Sequence, residues 1–188
     1  LIAAGKAKPM IVVMTNGNVS QEAAPGESSL GYIVPTMQLP KTMDGSMEES
    51  FPDVVNFIDA TYRTVKRKSG TAIAGLSMGG FHSLHISKQY PDMFDYVGLF
   101  SAAIMPDKQV KSSVYDNTEN KLKIQFNKNP KLYWIAIGKT DFLYKANEEY
   151  RKMLNEKGFK YTYYETDEGH IWRNWRIYLT EFVPMLFH

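Results

Sequence analysis

A serine stands in the middle of the segment Gly75-Leu-Ser-Met-Gly79, which fits the pattern G-x-S-x-G. The pattern lies between a predicted strand and a predicted helix, where a sharp turn lifts the Ser77 hydroxyl above the edge of a sheet. Such a turn strains the backbone and needs small neighbours, and we expect Gly75 and Gly79 to provide them. The backbone N–H of Met78 begins the helix and can stabilise an oxyanion. These residues predict nucleophilic catalysis by Ser77.

A serine hydroxyl becomes a good nucleophile only when a base takes its proton, and four histidines are present. His170 lies between the last predicted strand and the last predicted helix, at the carboxyl edge of the sheet. His82 and His85 follow Ser77 on one helix, where we expect surface positions or packing contacts rather than metal binding. His188 is the terminal residue. Position therefore favours His170 as the base.

The base needs an acid that orients its ring, and Asp141 follows a predicted strand at the same edge of the sheet. Asp167 and Glu168 are too close to His170 in sequence to reach around that ring. The chain order Ser77, Asp141, His170 is the order of the α/β-hydrolases and differs from the chymotrypsin and subtilisin orders. We therefore predict a Ser-His-Asp triad on three loops of one sheet edge.

Strands and helices alternate along the chain, which predicts an α/β fold with a mainly parallel sheet and helices on both faces. The predicted strands cover residues 10–15, 71–76, 96–100, 132–137 and 161–165. The predicted helices cover residues 48–65, 79–89, 117–128, 142–157 and 172–186. The run Met10–Thr15 is continuously apolar, as is typical of a strand buried on both faces. Pro52 is compatible with its helix only in the first turn.

The composition indicates one globular domain over residues 1–188, because 44% of the residues are hydrophobic. The absence of cysteine excludes a disulfide framework, a thiolate metal site and a catalytic cysteine. A formal net charge of +2 gives no sign of nucleic-acid binding, and no apolar run is long enough to span a membrane. Neither a phosphate-binding glycine loop nor metal-ligand spacing is visible, so we expect no cofactor and no metal.

The N-terminus resembles the end of a helix, because Leu1-Ile-Ala-Ala4 precedes a glycine at position 5, where helices often terminate. We therefore expect the domain to be shortened at its N-terminus. If the substrate is a polysaccharide, the protein is expected to be exported, with a signal upstream of Leu1.

Three segments resemble the esterase D-like α/β-hydrolases, and within them the feruloyl and acetyl-xylan esterases of carbohydrate esterase family 1. These segments are Ala72–Gly80, Gly138–Asp141 and Gly169–Trp175, and the likeness extends from Pro9 to Phe187. The resemblance implies a serine carboxylesterase that hydrolyses ester substituents of plant cell-wall polysaccharide through an acyl-enzyme. It implies the same three triad residues. The alternatives are an acetyl-xylan esterase, a siderophore esterase or peptidase, and a catalytically impaired remnant.

The sequence departs from the family at its N-terminus. Members have strands and a His-Gly-rich loop ahead of the segment that matches Pro9–Thr15, and the loop supplies a second oxyanion donor. Only the Met78 N–H is assigned here, and loss of one donor typically costs about 100- to 1000-fold in rate. We expect either that upstream residues are lost, or that the remaining strands close up or borrow a strand from a neighbour in a homo-oligomer.

Apolar residues close to the triad in sequence are the candidates for contact with a small-molecule or polysaccharide ester. They are Phe142, Leu143 and Tyr144 after the acid, Trp172 after the base, and Met37, Leu39 and Met43 in the long loop. Each of them fits core packing equally well, and Trp175 fits packing under the triad better. The residues alone do not distinguish a ferulate ester from an acetate ester.

Overall fold

A computed structural model describes residues 1–15, 43–104 and 111–188, and shows a parallel sheet with helices on both faces. The strands are β1 (Ala72–Leu76), β2 (Tyr96–Phe100), β3 (Leu132–Gly138) and β4 (Thr162–Thr166). The α-helices are α1 (Ser46–Thr61), α2 (Met78–Gln89), α3 (Thr118–Asn127), α4 (Tyr144–Glu156) and α5 (Trp172–Phe182). Short 3₁₀ turns lie at Lys68–Gly70 and Val183–Met185. None of the helices within these ranges has the length and apolarity to cross a membrane.

The four strands lie side by side in chain order, β1-β2-β3-β4, and every neighbouring pair is parallel. The register pairs Leu76 with Phe100, Phe100 with Ala136, and Gly138 with Thr166. All four strands therefore end at one edge of the sheet. The loops that follow β1, β3 and β4 begin at this edge, as the triad prediction requires.

Both faces of the two central strands, β2 and β3, are buried. One face packs against α2, α3 and α4 through a cluster that includes Val97, Leu99, Ile135, Leu84, Leu122 and Leu154. The other face packs against α5 through Phe100, Trp134, Ala136, Tyr178 and Phe182. Because side chains on both faces are buried, β2 and β3 are almost entirely apolar in sequence. The predicted arrangement of helices on both faces is confirmed.

The segment Met10–Thr15 does not form the predicted strand. It has no strand conformation, and Val12 and Met14 are 71% and 91% exposed. An apolar run is buried on both faces only when it lies inside a sheet, and β1 is an end strand of the sheet formed by the described residues. That prediction is therefore wrong. Whether a neighbouring molecule supplies a strand beside β1 stays a prediction.

The first helix begins earlier than the sequence pattern indicated. The Asp44 Oδ1 accepts hydrogen bonds from the backbone N–H of Ser46 at 2.9 Å and from its hydroxyl at 2.6 Å. These bonds satisfy a donor of the first turn, so α1 starts at Ser46. Pro52 consequently lies inside the helix, where it has no N–H to donate to the Glu48 carbonyl. The expectation that Pro52 occupies the first turn is wrong.

The first residues form the predicted helix-terminating turn. The Gly5 N–H donates to the Ile2 carbonyl at 2.9 Å, and the Lys6 N–H donates to the Leu1 carbonyl at 3.0 Å. Gly5 has a φ of 68°, in the left-handed region. This combination of bonds and left-handed glycine is the Schellman motif that ends many helices.

Candidate active site

Ser77 lies in the turn between β1 and α2, with φ 53° and ψ −116°, a conformation that is rare for a residue with a side chain. Its N–H donates to the Phe100 carbonyl at 2.9 Å, and its carbonyl accepts from the Ala103 N–H at 2.9 Å. These two bonds hold the turn against its strain. The hydroxyl therefore has a defined position at the carboxyl edge of the sheet.

Two glycines allow this turn to pack closely. A Cβ at Gly75 would overlap the backbone of Gly79, and a Cβ at Gly80 would lie 2.6 Å from the Ala102 Cβ. A Cβ at Gly79 would have no heavy atom of the described residues within 4 Å. The prediction that Gly79 is needed for its small size is therefore wrong. The close approach of β1, α2 and the loop after β2 depends on Gly75 and Gly80.

The structure brings the three predicted triad residues into contact. His170 Nε2 lies 3.0 Å from Ser77 Oγ, and His170 Nδ1 lies 2.9 Å from Asp141 Oδ2. The Asp141 side chain is fully buried, whereas that of His170 is 18% exposed. The other carboxylate oxygen of Asp141 accepts the Leu143 N–H at 2.9 Å. A proton on Nδ1 shared with the carboxylate leaves Nε2 free to accept the serine proton.

The loop that carries His170 lies directly against the end of β3. A Cβ at Gly138 would overlap the carbonyl oxygen of Glu168, and Asn174 Nδ2 donates to the Gly169 carbonyl at 2.8 Å. The backbone at the end of β3 therefore packs directly against the backbone of the loop that carries His170. Asn174 is buried on α5 and was not found by sequence reasoning, since nothing in its local pattern separates it from other helix residues.

Aromatic side chains surround His170. The Trp175 ring is buried and lies edge-on to the imidazole, with centroids 4.8 Å apart, as the packing prediction requires. The Phe142 ring lies 4.6 Å from the imidazole and is 75% exposed. Trp172 packs edge-on against Trp175 at 5.1 Å and is 64% exposed. Two large aromatic side chains therefore face solvent beside the base.

The other residues proposed for substrate contact have different surroundings. Leu143 is the N-cap residue of α4 and is partly buried. The Tyr144 hydroxyl donates to Glu165 Oε2 at 2.8 Å, and hydrogen bonds from Tyr163 and Tyr144 lower the pKa of Glu165. Met43 is buried in a small apolar cluster with Phe81, Val114 and Tyr115. Met37 and Leu39 lie outside the described residues.

The two histidines of α2 are buried in packing contacts. His82 Nδ1 lies 2.8 Å from Glu48 Oε1, and the Tyr115 hydroxyl donates to the other Glu48 oxygen at 3.3 Å. Burial is the main cause that lowers the pKa of His85 to about 2, so this ring stays neutral at neutral pH. Within the ranges that the structure describes, no three His, Asp or Glu side chains are grouped to hold a metal ion.

Comparison with known proteins finds esterases among the relatives of this chain. An acetyl esterase of Caldicellulosiruptor saccharolyticus is 25% identical over an aligned length of 160 residues, and the match covers 68% of this chain and 58% of that protein. An endo-1,4-beta-xylanase/feruloyl esterase of Xylanibacter ruminicola is 33% identical over 111 residues, which is 59% of this chain and 14% of that protein. The chain thus spans less than two thirds of either relative.

Solved structures share the fold. A CE1 ferulic acid esterase from Anaeromyces mucronatus in complex with ferulic acid has a TM-score of 0.75 and 19% identity, over 99% of this chain and 68% of that chain. The S-formylglutathione hydrolase of Staphylococcus aureus has a TM-score of 0.61 and 19% identity, over 78% of this chain and 65% of that chain. The expected α/β-hydrolase fold is confirmed.

A family model for esterases, described as "Putative esterase", matches residues 1–186, which is almost the whole chain. With that match, this chain belongs to the esterase family.

Proposed function

We propose that this chain is a serine carboxylesterase that hydrolyses ester substituents of plant cell-wall polysaccharide. The observation that carries the proposal is the continuous contact from Ser77 Oγ to His170 and from His170 to Asp141, at 3.0 and 2.9 Å. A hydroxyl that faces an imidazole nitrogen, on a strained turn, is the arrangement of an activated nucleophile. The feruloyl and acetyl esterase relatives support the substrate class.

In the first half of the reaction, Ser77 Oγ attacks the ester carbonyl carbon and His170 Nε2 takes the hydroxyl proton. The carbonyl oxygen becomes an oxyanion, and the N–H of Met78 is one donor that can stabilise it, because first-turn N–H groups have no acceptor inside their helix. His170 then gives its proton to the sugar oxygen, the C–O bond breaks, and the alcohol leaves. The acyl group remains on Ser77.

In the second half, His170 takes a proton from water, and the hydroxide attacks the acyl carbon. The oxyanion forms again and collapses, the bond to Ser77 Oγ breaks, and His170 returns the proton to the serine. Asp141 keeps its charge throughout and stabilises the imidazolium in both halves. The Leu143 N–H donates a hydrogen bond to this fully buried carboxylate and fixes its orientation.

The exposed rings of Phe142 and Trp172 are proposed to contact the substrate. Large apolar side chains that face solvent next to reacting groups commonly mark a binding surface. Both rings follow a triad residue directly in sequence, and Phe142 touches the imidazole. A flat phenolic ring or a sugar ring can pack on such faces, and neither Phe142 nor Trp172 carries a charge that would select a charged substrate.

Release of ferulate and acetate from feruloylated, acetylated arabinoxylan tests the proposal. The parent chain should release acid and Ser77→Ala should not, whereas Ser83→Ala, which removes a buried serine hydroxyl from the same helix, should keep the activity. Ferulate release establishes a feruloyl esterase. Acetate alone moves the assignment to an acetyl-xylan esterase, and hydrolysis of neither ester contradicts the proposal.

The substrate contacts have a separate test. Phe142→Ala and Trp172→Ala should each raise KM for methyl ferulate about 3- to 10-fold, since an aromatic contact contributes about 0.5–1.5 kcal/mol. Phe57→Ala, which removes an exposed ring from α1, is the matched control and should leave KM unchanged. Unchanged KM in both site variants would remove these residues from the proposed binding surface.

Export, assembly into a homo-oligomer and a single domain over residues 1–188 stay predictions.

A further inference from the structure

Asn147 lies on α4 and is completely buried. Its amide nitrogen donates to the carbonyl oxygen of Ala102 at 2.9 Å and to that of Leu143 at 3.0 Å. Because both partners are carbonyl oxygens, which only accept hydrogen bonds, the nitrogen end of the amide must face them. One side chain thus joins the loop after β2 to the loop after β3.

Each of these loops is bonded to a member of the triad. The Ala103 N–H donates to the carbonyl of Ser77 at 2.9 Å, and the Leu143 N–H donates to Asp141 Oδ1 at 2.9 Å. Asn147 therefore completes a path of hydrogen bonds and short backbone links from the serine turn to the carboxylate. None of the bonds in this path involves His170.

The stability of the fold accounts for the nitrogen end of this amide, which gives the buried Ala102 carbonyl a hydrogen bond, but not for its oxygen end. The Asn147 Oδ1 has no hydrogen-bond partner among the described residues, and a buried acceptor without a partner is unfavourable. An apolar side chain would remove that penalty but would leave the buried Ala102 carbonyl without a donor. It would not supply the two bonds from Nδ2 to the triad loops.

We propose that Asn147 is a positioning residue, which keeps the Asp141 loop aligned with the Ser77 turn so that the carboxylate faces His170. The proposal rests on the proposed function, because it concerns the same triad. It predicts that the effect of Asn147 on the reaction is transmitted through Asp141.

Asn147→Ala removes both bonds that link the loops. We expect kcat/KM for methyl ferulate to fall about 10- to 100-fold, mainly in kcat, because a displacement of about 1 Å at a catalytic group can cost about 100-fold. The same substitution made in the Asp141→Asn variant should cost less than about threefold, since residues that act as one unit are not additive.

Tyr150→Phe is the matched control on the same helix. The Tyr150 hydroxyl is buried and lies 2.7 Å from the Tyr133 hydroxyl, so the variant loses a hydrogen bond of α4 that is separate from both triad loops. It should lower the midpoint of thermal unfolding and leave kcat/KM unchanged. If Asn147→Ala does not fold, Asn147→Leu takes its place in the test, because it keeps the branch at Cγ and lacks both Nδ2 bonds.

Two results would overturn the proposal. One is an equal loss of activity with and without Asp141→Asn, and the other is a Tyr150→Phe loss as large as that of Asn147→Ala. A parent protein without esterase activity would instead contradict the proposed function. The proton NMR signal of the His170 Nδ1–H would then decide the role of Asn147. A shift or loss of this signal in Asn147→Ala, but not in Tyr150→Phe, supports the proposal. An unchanged signal in Asn147→Ala refutes it.

Discussion

Replacing Gly138 with alanine places a methyl group where the loop that carries His170 crosses the end of β3. The new Cβ would overlap the Glu168 carbonyl oxygen and lie 2.7 Å from Asn174 Nδ2, although real Cβ contacts essentially never fall below 3.0 Å. The overlap is with backbone, so no side-chain rotation relieves it, and the histidine loop must move by about 1 Å or more. A misplacement of that size costs about 100-fold in rate, which is about 2.7 kcal/mol of transition-state stabilisation.

The assay is kcat/KM for methyl ferulate, measured together with thermal unfolding. Gly98→Ala is the control, because its Cβ would crowd the Ala74 Cβ and the Phe182 ring at 2.9 Å, inside the sheet and away from the triad loops. That variant should lose stability but retain kcat/KM per folded molecule. A folded Gly138→Ala protein with the parent's kcat/KM would refute the reasoning, as would an equal activity loss in Gly98→Ala.

Three other perturbations have expected outcomes. Asp141→Asn should lower kcat about 10⁴-fold in the hydrolysis of methyl ferulate at neutral pH, and a loss below tenfold would contradict an orienting acid. Glu48→Ala leaves the buried His82 Nδ1 and the Tyr115 hydroxyl without their hydrogen-bond partner and should lower the free energy of unfolding in urea by about 1–3 kcal/mol; a loss near zero would show that these bonds do not stabilise the fold. Burial lowers the pKa of Lys88 from 10.5 to about 7, so the unfolded chain binds more protons between these values and stability should rise with pH from 7 towards 10. Urea unfolding of Lys88→Met should lack this part of the rise, and an unchanged slope would count against it.

The elements of the sheet core were predictable because burial on both faces imposes continuous apolar sequence. The predicted strand at residues 96–100 coincides with β2, and α5 begins at the predicted Trp172. The same rule failed for Met10–Thr15, since an apolar run becomes a buried strand only when other strands flank it. The start of α1 was missed because a side chain, Asp44, bonds the first turn and extends the helix backwards.

The triad was predictable for a topological reason. Parallel strands place their following loops at one edge, so Ser77, Asp141 and His170 were brought together by element order alone. The supporting contacts were not predictable, because their partners are distant in sequence. Asn147 lies 45 residues from Ala102, and a helix pattern contains no information about such a partner.

The glycines of the elbow show the same limit. The motif indicated Gly75 and Gly79, whereas the close contacts in the structure require Gly75 and Gly80, and Gly80 meets Ala102 in the loop after β2. A local motif describes the turn itself. Which of its positions meets a neighbouring loop is decided by the packing of that loop, and this is visible only in three dimensions.

The central claim is that His170 activates Ser77 as the nucleophile, and covalent trapping tests it most directly. A phosphonate with a p-nitrophenol leaving group reacts with activated serines, and peptide mass mapping locates the phosphonyl group. We predict one phosphonyl group on the peptide that contains Ser77, no labelling in Ser77→Ala, and a strongly reduced labelling rate in His170→Ala. Labelling at another residue, or undiminished labelling without His170, would contradict the account.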